Sequence, residues 1–286
     1  MKLLALLFAA MALTFFAPAS IIVAPVGLSE AQNSSDMLRR GQRLYAANCA
    51  VCHGQNGSGK GPAAHMLVTQ PRDFQSGSFK FRSTPSGALP TDNDLMKIVT
   101  AGIRWTAMVG RADLTESERL AVVQYLKTFS PRFAKEQLQS PMTVSPEPPR
   151  SQELVAQGRQ LYRDSDCAKC HGERGDGKGI SSADLTDDSG RPLPASDLTW
   201  RPLKRGSERR DIYLTIATGL NGAPMPAYAA ALDGKQIWAL VDYLETLVPE
   251  AHRVSSREML GEEAGTEPEV TAAALVVAHD ALGAEI

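Results

Sequence analysis

The stretch CAVCHGQNGSGKG, residues 49–61, sets two thiols three positions apart, a histidine directly after the second, and four glycines within the next eight residues. CAKCHGERGDGKG, residues 167–179, repeats the arrangement. The likeness extends outward from both. Gly41, Leu44 and Tyr45 recur as Gly158, Leu161 and Tyr162, 117 positions on, and Cys49, Cys52 and His53 recur as Cys167, Cys170 and His171 at an offset of 118. Arg72-Asp73-Phe74 resembles Ser196-Asp197-Leu198, the segment 100–108 matches 217–225, and VVQYLKT (122–128) matches LVDYLET (240–246). A period this long is too great for a solenoid and points to two homologous domains in tandem.

The spacing gives the motif a chemical meaning. Cysteines at i and i+3 on one helical turn point the same way, so both can bond to neighbouring substituents on one edge of a flat macrocycle. A histidine directly after them reaches the metal at its centre. This pentapeptide is the sequence sign of covalent c-type haem attachment. Three other readings compete. A thioredoxin-like dithiol calls for a βαβ setting, and none is visible. A structural zinc site calls for a second Cys-x-x-Cys within about 15–20 residues. A disulfide inside each unit is the third. The glycines are expected to let the backbone pass close to the ring face.

Both halves resemble class I cytochrome c domains, and the whole resembles a bacterial dihaem cytochrome c. The resemblance rests on GQRLYAANCAVCHG and GRQLYRDSDCAKCHG and covers roughly residues 36–130 and 150–248. It implies an all-α fold of small helical bundles, with first and last helices crossing at a glycine and an aromatic, here Gly41 with Tyr125 and Gly158 with Tyr243. It also implies two covalently attached haem c groups, bound through Cys49 and Cys52 and through Cys167 and Cys170. His53 and His171 are the expected proximal ligands.

The opposite face of each iron decides between carrier and catalyst, because a protein ligand there excludes oxygen and peroxide. Met108 and Met225 are the expected closing ligands, 55 and 54 residues after their histidines and at matching repeat positions. Prolines flank Met225 but not Met108. His65 is the rival to Met108, and Met66 and Met96 read as core filler. The family often supplies a proline carbonyl to the proximal histidine. Pro62 fits, while the second domain has Ile180 in that place. Arg72, Arg104 and Trp105 are candidate contacts to the propionates of the first haem and Trp200 to those of the second, with solvated or core positions the equal alternative.

The expected organisation is a signal peptide or uncleaved anchor at 1–31, one domain at 36–135, a Pro-rich linker at 140–150, a second domain at 151–249, and an Ala/Glu-rich, flexible tail at 250–286. Lys2 followed by an uncharged, Leu/Ala/Phe-rich stretch has the form of an export signal, which places the chain in the periplasm, or anchored to the membrane and facing it. First helices are expected after Ser35 and Ser151. Last helices are expected to start at the capping boxes Thr115-x-x-Glu118 and Asp233-x-x-Gln236.

Residues 32–145 carry 14 Lys+Arg and 8 Asp+Glu, a net +6, whereas residues 146–250 carry 13 and 16, a net −3. A basic domain beside an acidic one suggests two docking faces of opposite preference for redox protein partners. Nucleic acid is not an expected partner, and membrane association is expected only through an uncleaved N-terminus or a partner complex. The expected function is relay of single electrons between a donor and an acceptor oxidase or reductase, with no chemical substrate. A dihaem peroxidase and an electron-input subunit of a respiratory complex are the rivals.

Overall fold

The computed structural model describes residues 26–206 and 208–253, with side chains from Gln32 onward. The signal or anchor expected at 1–31 falls almost wholly outside them, as does the tail beyond Arg253. No helix among the described residues is long and apolar enough to cross a membrane.

The first repeat contains α1 (Val26–Asn48), α2 (Ala50–His53), α3 (Asp92–Ala101), α4 (Glu116–Lys127) and the short α5 (Arg132–Lys135). The second contains α6 (Gln152–Asp164), α7 (Cys167–His171), α8 (Arg209–Thr218) and α9 (Gly234–Thr246). Among the described residues the only β pairing is isolated bridges, so the all-α expectation holds. Both capping boxes form: Thr115 and Glu118 exchange hydrogen bonds at the start of α4, and Asp233 and Gln236 at the start of α9. Ser151 caps α6 through the Leu154 amide. Thr91 and Asp94 close a further capping box, on α3. Ser35 does not begin a helix, since α1 already runs from Val26 and the Ser35 hydroxyl bonds back to the Gln32 carbonyl.

The two long-helix crossings explain the helical glycines. A Cβ on Gly158 would lie 1.9 Å from the Ala239 carbonyl oxygen and 2.8 Å from Tyr243 Cβ. One on Gly41 would lie 2.0 Å from the Ala121 oxygen and 2.9 Å from Tyr125 Cβ. No residue with a side chain fits there, which offsets glycine's helix penalty of about 1 kcal/mol. Around the crossings, Ile237, Leu240, Val241 and Leu244 of α9 are buried with Tyr162, Ile212 and Ile216. Tyr45, Phe74, Leu95, Val99, Val123 and Leu126 form the first core. Each fully buried Leu, Ile, Val or Phe contributes roughly 1.5–3 kcal/mol.

The two repeats pack into one compact unit beginning at Met37. Arg82 has no exposed surface, and its guanidinium donates to the Thr218 carbonyl at 2.6 Å and the Gly219 carbonyl at 3.3 Å. Lys97 pairs with buried Asp211 at 2.6 Å, Trp105 Nε1 donates to the Pro202 carbonyl at 2.6 Å, and Asn221 bonds the backbone at Gly87 and Ala88. Residues 140–150 form no regular secondary structure and are mostly exposed, but they are tied down along their length. The Met142 amide bonds the Ser83 carbonyl, Trp238 Nε1 bonds the Ser145 carbonyl, and Glu147 meets Arg209 at 2.6 Å.

Candidate haem-attachment sites

Cys167 and Cys170 lie one turn apart on α7, and Cys49 sits at the N-terminal end of α2 one turn before Cys52. All four are free thiols, half-buried, so the disulfide reading is not realised. Burial pushes both Cys49 and Cys167 up to about 11. A redox-active dithiol needs a thiol depressed toward neutrality, and here the shift runs the other way. Among the described residues no cluster of three or more His, Cys, Asp or Glu is disposed to hold a metal ion, which removes the zinc reading there.

The glycines after each motif also have work within the chain itself. The Gly61 amide bonds the Cys52 carbonyl and the Gly179 amide bonds the Cys170 carbonyl. A Cβ on Gly61 would meet the Val51 oxygen at 2.4 Å, and one on Gly179 the Lys169 oxygen at 2.2 Å. The loop therefore folds back over the helix that carries the thiols. Two buried phenols pin the same place: Tyr45 donates to the Gly54 carbonyl at 2.8 Å and Tyr162 to the Gly172 carbonyl at 2.7 Å. The recurrence of these tyrosines was visible in the sequence; the bond was not.

Each histidine is oriented by main chain. His53 Nδ1 lies 3.1 Å from the Arg72 carbonyl and His171 Nδ1 lies 2.9 Å from the Ser196 carbonyl. With Nδ1–H donating, Nε2 is the basic nitrogen left for a metal. Burial lowers the pKa of both rings, and the carbonyl bonds oppose that only in part, which favours the neutral imidazoles that metal ligation needs. Pro62 is not the acceptor and is exposed. Arg72 and Ser196 occupy matching repeat positions whose likeness was visible without its purpose. Because the acceptor is the carbonyl of Ser196, Ile180 in place of a proline does not deprive the second histidine of its partner.

His171, Cys167, Cys170 and Met225 line one cavity of about 190 Å³, with Tyr162 and Tyr228. A cavity with two free thiols on one wall and an oriented imidazole and a thioether on its lining suits a covalently held haem. The Met225 loop is closed by a bond from the Leu220 amide to the Met225 carbonyl at 3.1 Å. The Ile103 amide does the same for Met108 at 2.9 Å. The two methionine loops therefore share a backbone bond although Met108 lacks flanking prolines. His65 is exposed and Met96 packs on the first core, whereas Met66 is 68% exposed and is not core filler. The indoles of Trp105 and Trp200 meet edge to face at 6.2 Å, and Trp200 stacks on His252 at 3.9 Å, so His252 is half-buried and not free on the surface. The Arg72 guanidinium meets Asp188 at 3.5 Å.

Residues 38–130 match the family model for cytochrome c, and residues 153–244 match that for cytochrome c oxidase, cbb3-type, subunit III. The chain belongs to the dihaem c-type cytochromes. The cytochrome is 25% identical over 234 residues to the cbb3-type cytochrome c oxidase subunit CcoP of Azospirillum brasilense, covering 79% of this chain and 68% of that one. It is 26% identical to the subunit FixP of Azorhizobium caulinodans, covering 81% and 68%. Among solved structures it superposes on a chain of the Kuenenia stuttgartiensis reducing HAO-like protein complex Kustc0457/Kustc0458. The TM-score is 0.72 at 36% identity, covering 73% of this chain and 96% of that chain. The cytochrome carries two covalently attached haem c groups and relays electrons.

Proposed function

We propose that the two haems are held one per domain, in domains spanning 36–135 and 151–249, by thioether bonds from Cys49 and Cys52 and from Cys167 and Cys170. His53 and Met108 ligate the first iron, and His171 and Met225 the second. The observation that carries this reading is the convergence of His171, Met225 and both second-domain thiols on one cavity, with the same backbone bonds recurring around His53 and Met108. Bound haem supplies one-electron redox chemistry, and thioether ligation raises its potential.

The chain's own residues do the rest. The Arg72 and Ser196 carbonyls fix the imidazole tautomers, Tyr45 and Tyr162 anchor the turns after the motifs, and the apolar cores would shield a bound haem from water. Met108 and Met225, as ligands, would leave the irons little room for a substrate, which favours a carrier role. We place it outside the cytoplasm, where c-type haem is attached. The oxidase subunits among its relatives favour a further reading, delivery of electrons to or within a respiratory complex.

Optical redox titration of matured protein tests the core assignment. Two one-electron waves and a weak far-red sulfur-to-ferric band are expected, and the Met108→His and Met225→His exchanges should each remove part of that band and lower one wave. A colourless protein, or spectra untouched by both exchanges, overturns the reading. Carbon monoxide binding by the reduced native protein would overturn the closed-face part of it.

A further inference from the structure

The cavity of the second domain is not built by that domain alone. Lys80 and Phe81, from the first domain, line it beside Lys204 and Arg205. Lys80, Lys204 and Arg205 thus bring three cations to its lining, with Lys80 and Lys204 close enough to repel each other. Asp166 also lines the cavity, at the cysteine end, where it pairs with Lys169 at 3.0 Å. We propose that Lys80, reaching across from the first domain, forms with Lys204 and Arg205 a cationic rim that binds the two propionate carboxylates of the second haem. The first domain thereby completes the second domain's cofactor site. The inference rests on the haem reading of that cavity.

Three observations carry it. Arg205 is 7% exposed, and its Nη1 is buried with no hydrogen-bond partner. Its nearest acidic partner, Asp211, stands 3.9 Å away and is already engaged by Lys97 at 2.6 Å, and Asp94 attracts it more weakly. A buried guanidinium with an unused donor is costly unless an anion joins it. The second observation is crowding. Burial, Arg72 and Lys204 together drive Lys80 down to about 8, and each of those two repulsions exceeds the attraction of either Asp187 or Asp188. Burial lowers Lys204 as well. The third is placement. Lys80 lies two residues from Arg82, whose two bonds to the end of α8 and the glycine after it hold this segment against the second domain. Two carboxylates arriving among three partly desolvated cations meet both the charge and the hydrogen-bonding need.

The test uses the full-length, haem-loaded protein and reads potentials. Met225→His first identifies which wave belongs to the second haem. A cation near an iron disfavours its ferric state, so Lys80→Gln is expected to shift that wave downward by about tenfold in the equilibrium constant, about 59 mV for one electron. Arg205→Gln should act in the same direction, and Lys80→Arg should restore the parent value. Trp105→Phe removes an interdomain hydrogen bond but no charge and should leave the wave in place. If Met225→His moves one wave while Lys80→Gln and Arg205→Gln leave it unmoved, the rim is refuted and the haem assignment stands. If Trp105→Phe reproduces the Lys80→Gln shift, interface loosening accounts for it and the rim is again refuted. If Met225→His moves neither wave, ligand assignment and rim fall together.

Discussion

Gly158→Ala should destabilise this cytochrome although alanine is the better helix former. Two effects of opposite sign compete. In the interior of α6, replacing glycine with alanine gains about 1 kcal/mol of helix propensity. Against this, the new methyl carbon would lie 1.9 Å from the Ala239 carbonyl oxygen, 2.6 Å from its carbon and 2.8 Å from Tyr243 Cβ. Two of those atoms are backbone and the third is fixed to it, so no rotamer change relieves the contact. Moving from 1.9 Å to 3.0 Å, the shortest approach that real Cβ atoms show, requires the helices to part by 3.0 − 1.9 = 1.1 Å. A gap of 0.5–1 Å forfeits about a quarter to a half of each van der Waals contact across it. This crossing packs Tyr162 against Tyr243 and buries Leu240 and Leu244. Overpacking ordinarily costs about 1–3 kcal/mol, and a clash with main chain belongs above that range. The net should be a loss of about 2 kcal/mol or more, lowering Tm by roughly 4–8 °C for a chain of this size. Far-ultraviolet circular dichroism of the matured protein measures it, and Gly41→Ala should behave alike. An unchanged or raised Tm for Gly158→Ala would refute the idea that helix approach, not conformational freedom, selects glycine here.

Tyr162→Phe keeps the ring but leaves the buried Gly172 carbonyl without its 2.7 Å partner, which should cost about 1–3 kcal/mol in denaturant unfolding; a change within error removes the phenol anchor from the argument. Arg82→Leu strips the Thr218 and Gly219 carbonyls of their donor, so the domains should separate and the radius of gyration from small-angle scattering should rise, whereas an unchanged radius would show that the other interdomain bonds suffice. Burial raises the Glu245 carboxyl, but Arg201 at 2.8 Å and Arg253 at 3.2 Å outweigh it and hold it below 4.5. A carboxyl depressed in the folded state adds stability that is complete above its unfolded value and is lost as pH falls through its folded one. Stability should therefore decline on acidification below about pH 4.5, and Glu245→Gln should be less stable at neutral pH with a flatter acid limb; parallel limbs in urea melts would contradict the pairing.

The parts legible in the sequence were those fixed within one repeat. The capping box Thr115-x-x-Glu118 located the start of α4, the Cys-x-x-Cys-His spacing located the thiols and imidazoles, and a shared repeat position aligned Met108 with Met225. Main-chain acceptors escaped, because a carbonyl is common to every residue and leaves no trace in residue type. The His53 partner is therefore the Arg72 carbonyl, where the family resemblance had pointed to the carbonyl of Pro62. Met66 escaped for the opposite reason: residue type suggested a core position, but the short turn that carries it lies on the surface.

The charge asymmetry shows how a correct count can suggest an incomplete geometry. A net +6 beside a net −3 suggested two outward faces awaiting different partners. Part of that complementarity is turned inward. Lys97 and Arg72 of the first domain meet Asp211 and Asp188 of the second, and Asp211 is 5% exposed in its side chain. Pairs desolvated on one side are screened by salt less than surface pairs, so they hold the two domains together where loose surface charges would not. Composition counts charges without saying which way they face. In this chain the two domains are each other's first electrostatic partners, and only the charges left after that pairing are available to steer a donor or an acceptor.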